Sequence, residues 1–306
     1  MLDYLLLVTG QVATLFLLMG VGFVLARLGR LNGTGLGQMS SLLLYVVSPC
    51  IVLDSFQQDT LPGPGALGIS LAVFALYYVL ILPLSLPLFP GQPPERRSVL
   101  RFGAAYGNVG FMGMPLLLGV LGPEAGIYGA ISIALMNIFQ WTQGVVVMGS
   151  RLSVKKAIFN PGVLSLLAAV ALYLLDIRLP GVLADSVSFL ADLNTPLAMV
   201  VTGGQIASAA LAATFTQPRL YAAAAFKLLA APLLTALVLL PLGLSPVLYC
   251  ACVIVAATPT AGATSIFAQR FGRDTPAAAQ LVALSTILSI VTLPLFATAA
   301  QVISQL

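Results

Sequence analysis

The sequence predicts an all-α polytopic membrane protein of ten transmembrane helices, built as an inverted 5+5 repeat with breaks in helices 4 and 9. Three observations carry that expectation. Of 306 residues, 59% are hydrophobic and 7% charged, with mean hydropathy +1.06, whereas a soluble domain carries about 25% charged residues. Apolar stretches recur at the length of about 20 residues that crosses a bilayer. Landmarks of the first half also return in the second at an offset close to 150 residues.

The stretches run near 4–26, 36–56, 65–89, 97–120, 125–148, 157–176, 183–206, 219–241, 246–269 and 276–301. Ten spans leave no room for a sizeable soluble domain, so any chemistry must sit at membrane depth. Connections after the odd-numbered spans hold Arg27 and Arg30; Arg96, Arg97 and Arg101; Arg151, Lys155 and Lys156; Arg219; and Arg270 and Arg273. The other side holds Arg178 together with Asp3, Asp54, Asp59, Glu124, Asp176 and Asp185. By the positive-inside rule the Arg-rich side is cytoplasmic, which places both termini on the non-cytoplasmic side of an inner or plasma membrane. Asp3 stands where a cleaved signal peptide needs positive charge, so none is expected.

Ser48-Pro49 in span 2 answers to Thr195-Pro196 in span 7, and Pro83 in span 3 to Pro232 in span 8. Asn108-Val109-Gly110 answers to Thr258-Pro259-Thr260, and the turn at Gly122 to the turn at Gly272. Five spans per half is an odd number, so the second half enters the membrane from the opposite side. The expected units are 1–150 and 151–306. Such inverted repeats recur among secondary transporters.

Span 4 reads Gly107-Asn108-Val109-Gly110-Phe111 through Pro115 at its middle, and span 9 reads Thr258-Pro259-Thr260-Ala261-Gly262. Gly and Pro disfavour helix, and small polar side chains compete for backbone groups. Unwound backbone survives at this depth only where protein buries it or a wet cavity meets it. Two breaks bring half-helix N-termini suited to an anion and half-helix C-termini suited to a cation. Close packing and kinking alone are the bland alternative.

Lys227 lies eight residues beyond Arg219, about 12 Å into the membrane, and Asp192 roughly 9–14 Å from the outer face at 1.5 Å per residue. An intramembrane charge is a functional candidate by default. Lys227 either supplies positive potential to an anion, pairs with Asp192, or snorkels to the interface. Asp192 is the candidate coupling group, or else hydrogen-bonds at the outer rim. Asn137 and Gln140, three apart on one face of span 5, are candidate site-lining amides. Trp141 reads as an interface anchor. Ser285, Thr286, Ser289 and Thr292 in span 10 read as helix-to-helix hydrogen-bonding groups, and Cys250 and Cys252 as small apolar fillers.

The absent residues exclude other chemistries. With no histidine, Ser-His-Asp and Cys-His nucleophile systems and histidine metal sites are out of reach. Three cysteines in apolar runs make neither a disulfide framework nor a zinc site. No P-loop occurs, and neither the paired carboxylates of an intramembrane aspartyl protease nor the acidic clusters of a metal-dependent transferase are present. The chain is therefore not expected to be an enzyme. The paired breaks likewise weigh against a nontransporting receptor. The net charge of +4 is spread singly between spans, which reads as topology and not as nucleic-acid binding. No cofactor is expected beyond a coupling Na+ or H+. The partners are a small organic anion and membrane lipid, with oligomeric state left open between a single chain and a homodimer.

These segments resemble the auxin efflux carrier family, which includes plant PIN-formed carriers and bacterial malate- and malonate-permease-like members. The strongest likeness runs from Pro259 to Pro294, with Phe271-Gly272, Asp274, Ser285-Thr286 and Thr292-Leu293-Pro294. Gly107 to Pro115, Asn160-Pro161 and Ser48-Pro49 add to it. The resemblance implies a substrate site where broken spans 4 and 9 cross, with Asn108, Val109 and Gly110 touching substrate and Thr258, Pro259 and Thr260 completing the crossover. Gly107, Pro115, Ser48, Pro49, Thr195 and Pro196 are the expected hinge and packing residues. It also implies an elevator motion of spans 3–5 and 8–10 against spans 1, 2, 6 and 7. The long central loop of the plant carriers is reduced here to Gly149 through Lys156. A secondary active or facilitative carrier of small carboxylates is the leading reading. A sodium-coupled bile-acid-like symporter or a cation/proton antiporter of the same fold is the alternative, disfavoured because the crossover carries no acidic group.

Overall fold

The computed structural model describes residues 2–58, 61–151, 159–209 and 211–304. Asp59, Lys155 and Lys156 lie outside the described residues. Thirteen helices carry the architecture, and among the described residues the only β pairing is a single antiparallel bridge between Gly107 and Thr260. Helices α1 (Leu2–Arg27), α2 (Gly33–Ser55) and α3 (Pro64–Ser85) are long and apolar enough to cross a membrane. The fourth stretch divides into α4 (Pro94–Ala105) and α5 (Val109–Leu121), followed by α6 (Pro123–Val147). The second half holds α7 (Pro161–Leu174), α8 (Gly181–Asp192), α9 (Asn194–Ser208) and α10 (Pro218–Leu242). It closes with α11 (Pro246–Ala257), α12 (Ala263–Arg270) and α13 (Thr275–Ile303). Six of the thirteen (α1, α2, α3, α6, α10 and α13) meet the length and hydropathy of a span, and α5, α7 and α11 are shorter apolar helices.

Proline explains most departures from regular helix. A proline has no N–H and its ring crowds the carbonyl four residues back. Before Pro49, Pro115 and Pro232 the chain widens into π turns over Leu43–Val47, Val109–Gly113 and Phe226–Ala230. In each, the residue just before the proline donates its N–H five residues back: Ser48 to Leu43, Met114 to Val109, Ala231 to Phe226. A fourth π turn, Gln140–Gly144, has no proline after it. Span 7, expected as one stretch over 183–206, is interrupted at Leu193. Pro196 is the cause, since its ring crowds the carbonyl of Asp192.

Two packed groups emerge. Helix α1 lies against α9, while α2 lies against α7 and α8. The α1–α9 contact is backbone-close, because a Cβ on Gly22 would meet the Val200 carbonyl oxygen at 1.9 Å and one on Gly203 the Met19 oxygen at 1.9 Å. Small residues at such positions are how membrane helices gain dispersion contact without a hydrophobic driving force. Elsewhere α3 packs on α6, and α13 packs on α4, α10, α11 and α12. The groups touch each other chiefly through α1 with α13 and α6 with α7.

Candidate functional site

Two interrupted helices meet back to back. After Ala105 the backbone leaves the helix at Tyr106 (φ −102°, ψ 119°) and resumes after Asn108 (φ −80°, ψ 63°). After Ala257 it leaves at Thr258 (φ −60°, ψ 145°) and resumes at Ala263. The unwound segments satisfy one another: Asn108 N–H donates to the Pro259 carbonyl at 2.7 Å and Ala261 N–H to Tyr106 at 2.9 Å. The Thr260 hydroxyl donates to the Gly103 carbonyl at 2.9 Å, and Thr260 N–H to the Ser285 hydroxyl at 3.1 Å. The Thr258 hydroxyl donates to Val255 at 2.7 Å. Buried backbone groups left unpaired would each be costly, so this pairing is what permits both breaks at depth.

Behind the pair lies Lys227. Its side chain is fully buried, with Nζ donating to the Ala256 carbonyl at 2.5 Å and to the Tyr77 hydroxyl at 3.4 Å. It neither snorkels nor pairs with Asp192. That carboxylate is exposed at the end of α8, beside Asp54 and Ser188. The depth count took span 7 as one unbroken helix, whereas the chain is interrupted at Leu193, just beyond Asp192.

In front of the pair opens a cavity of about 150 Å³. Gly107, Asn108 and Gly110 line it from the first break, and Asn137, Gln140 and Trp141 from α6. Ser48 from α2, Gly162 from α7 and Gln205 from α9 form the facing wall, and Ala261, Gly262 and Phe267 come from the second break and α12. The cavity therefore lies between the two packed groups. No acidic or basic side chain is among its lining. Its polar side chains are four amides, two serine hydroxyls and the Trp141 indole, and the Gln140 Nε2 is buried without a partner. Such an orphaned donor costs about 1–3 kcal/mol unless something in the cavity accepts from it.

Of the residues singled out from sequence, Asn108, Gly110, Asn137, Gln140, Gly107 and Ser48 share this cavity. Thr258, Pro259, Thr260 and Val109 are buried in the paired breaks without lining it. Pro115 is buried in α5 and Pro49 half-buried in α2. Thr195 is half-buried and Pro196 exposed in α9. Trp141 lies on the cavity wall, 5.0 Å from the Phe267 ring, with the Arg270 guanidinium 5.3 Å from its own centroid. The span 10 hydroxyls do not bond helix to helix: Ser285 accepts from Thr260 N–H in the second break, Ser289 donates to Thr286 in its own helix, and the Thr286 and Thr292 hydroxyls are buried without a partner; Cys250 and Cys252 are buried.

Three site residues escaped the sequence reading. Asn194 donates to the Gly110 carbonyl at 3.2 Å across the gap between the groups, and its only sequence signal was adjacency to Thr195-Pro196. Gln205 had none. Tyr77 had one, its separation of 150 residues from Lys227, which equals the offset expected for the repeat. Two other clefts, of about 210 and 440 Å³, lie around Leu61 near helix ends. Neither touches the breaks, where buried polar groups converge.

The family described as Membrane transport protein matches over residues 7–153 and 145–297. A Rhizobium meliloti (strain 1021) protein named "Putative malonate transporter" is 27% identical over 300 residues, covering 93% of each chain. A Methanothermobacter thermautotrophicus protein (strain ATCC 29096 / DSM 1053 / JCM 10044 / NBRC 100330 / Delta H) named "Uncharacterized transporter" is 24% identical over 298 residues, 94% of this chain and 97% of its own. These matches bear out the auxin-efflux-carrier resemblance and the expectation of a transporter in place of an enzyme. The chain is a multi-pass membrane protein belonging to the Membrane transport protein family.

Proposed function

We propose that the chain is a secondary active or facilitative transporter of small organic anions, in particular carboxylates, with the cavity as its substrate site. The observation that carries this reading is the cavity's placement and chemistry. It lies between two packed groups, beside the N-terminal end of α5, and presents amide donors with no competing carboxylate. Helix N-termini and convergent N–H groups suit an anion. The name of the Rhizobium meliloti relative places malonate among the first carboxylates to test.

Alternating access fits the same geometry. Helices α1, α2, α7, α8 and α9 form the static scaffold, and α3–α6 with α10–α13 the body that slides past it. The inverted repeat of 1–150 and 151–306, read as ten spans with α4–α5, α8–α9 and α11–α12 each counted as one, draws support from the Tyr77–Lys227 contact. Two residues at equivalent positions touch only where they flank the pseudo-two-fold axis. Mirrored packing supports it too, since α1 against α9 answers to α7 against α2. On the reading with the Arg-rich side cytoplasmic and both termini outside, the cavity wall at Trp141 packs against Arg270 of the cytoplasmic side.

The experiment is carboxylate flux in proteoliposomes, comparing wild type with Asn108→Ala while sodium, pH and voltage vary. A fall of at least about tenfold, the worth of about 1.4 kcal/mol, is expected with correctly inserted protein. Unchanged flux in the variant overturns the site. Flux of no carboxylate in wild type overturns the substrate class.

A further inference from the structure

The environment of Lys227 bears on ion coupling. Broken-helix carriers hold sodium with unwound carbonyls and half-helix C-termini. Here such an end belongs to α11, and its Ala256 carbonyl already receives the Lys227 amine at 2.5 Å. The Tyr77 hydroxyl, at 3.4 Å, adds a second oxygen, and the Tyr77 ring centroid lies 6.0 Å from Nζ. Among the described residues the amine's hydrogen-bond partners are the Ala256 carbonyl and the Tyr77 hydroxyl, with no carboxylate among them. A lysine ammonium has three donors and no acceptor, so two oxygens, an aromatic face and the negative end of a helix are the surroundings of a cation. A buried charge without an ion-pair partner is expensive, so its compensation must come from those dipoles and from an anion nearby. The anion's cavity is close. A Cβ added to Gly107, which lines the cavity, would stand 3.0 Å from Nζ. Only the backbone of the first break separates the two.

We propose that Lys227 is a tethered cation occupying the carbonyl end of α11 that a coupling sodium ion would need, so that the carrier's charge balance is built into the chain. For its transport consequence this inference rests on the carrier reading above. For the cation itself it does not. A positive charge thereby lies behind the wall of the site and travels with the substrate, and sodium finds the carbonyl end of α11 already taken.

The test is the thermal unfolding midpoint of the full chain in detergent, in sodium chloride against choline chloride. Wild type is expected to have the same midpoint in both. Lys227→Ala is expected to lose several degrees and to regain part of them saturably with sodium or ethylammonium, which fit the vacancy. Saturable stabilisation of wild type by sodium overturns the proposal. So does a Lys227→Ala protein that keeps its stability, or one that loses it and regains none with either cation. If Lys227→Ala does not fold, carboxylate flux of wild type decides: equal flux in sodium and choline supports the tethered cation, and saturable sodium stimulation overturns it. A chain that moves no carboxylate defeats the transport reading and leaves the salt-dependent unfolding of Lys227→Ala to decide this one.

Discussion

Replacing Gly107 by alanine tests whether the first break depends on backbone-close contact. The added Cβ would lie 2.3 Å from the Thr258 hydroxyl oxygen, 2.9 Å from Lys227 Cε and 3.0 Å from its Nζ. The hydroxyl can rotate away only by giving up its 2.7 Å bond to the Val255 carbonyl, a loss of about 1 kcal/mol. The lysine chain is pressed at two atoms while its amine is held by Ala256 and Tyr77, an overpacking that costs about 1–3 kcal/mol. Together the two costs come to about 2–4 kcal/mol. Gly110→Ala is the matched control from the same segment. Its Cβ would meet nothing nearer than 3.8 Å, at Ile133, an ordinary contact. The assay is the unfolding midpoint in detergent for both variants, with proteoliposome flux for Gly107→Ala. Gly107→Ala should lose several degrees and most of its flux, while Gly110→Ala stays near wild type in midpoint. Adding Thr258→Ala to Gly107→Ala should recover part of the loss, because the nearest clashing atom is gone. Equal midpoints for the two single variants, or no coupling with Thr258→Ala, would refute the reasoning.

Other positions separate backbone collisions from side-chain ones and structure from coupling. Gly203→Ala puts its Cβ 1.9 Å from the Met19 carbonyl oxygen, whereas Gly204→Ala meets the Leu36 Cδ2 at 2.5 Å. Backbone cannot swing aside, so Gly203→Ala should cost more than about 3 kcal/mol and lose its monodisperse peak in size-exclusion chromatography, with Gly204→Ala clearly milder. Asp192→Asn should keep most of the flux and its pH response, because the carboxylate is exposed beside Asp54 and away from the cavity. Abolished pH dependence of flux in that variant would return Asp192 to the coupling role.

The breaks were legible in the sequence because their cause is local. Gly107-Asn108 and Thr258-Pro259-Thr260 cannot hold helix well, and both lie unwound in the fold. The prolines at 49, 115 and 232 were equally visible, but the π turns before them were not, since an apolar run has the same composition whether its turns are α or π. Lys227 shows a different limit. Counting residues from Arg219 gives depth along a helix but not direction around it. Whether the side chain faces lipid, water or the core is decided by α11 and α3, which are distant in sequence. Trp141 shows the same limit: an aromatic residue near a helix end reads as an anchor, and its packing against Phe267 on the cavity wall is set by tertiary structure that the sequence does not show.

The four π turns have a shared consequence for the site. A π turn inserts one residue, rotating everything beyond it around the helix axis, and such turns cluster at functional positions. Three of them reach the cavity directly: Leu44 and the following Ser48, then Gly110 and Phe111, then Gln140 and Trp141. The fourth carries Lys227 to the back of the breaks. On the proposed sliding motion this arrangement divides the labour. Gly22 and Gly203 interlock backbone with backbone and keep α1 and α9 together. Across the cavity the contacts are between side chain and backbone: a 3.2 Å bond from Asn194 to the Gly110 carbonyl, and Asn137 packed where a Cβ on Gly162 would come within 2.4 Å. One hydrogen bond is worth about 1 kcal/mol net, and the Asn194 Oδ1 has no partner to hold it further. Backbone-to-backbone interlocking thus lies within one group, while the contacts across the cavity are made by side chains. A carrier that must move its site past a scaffold requires that ordering.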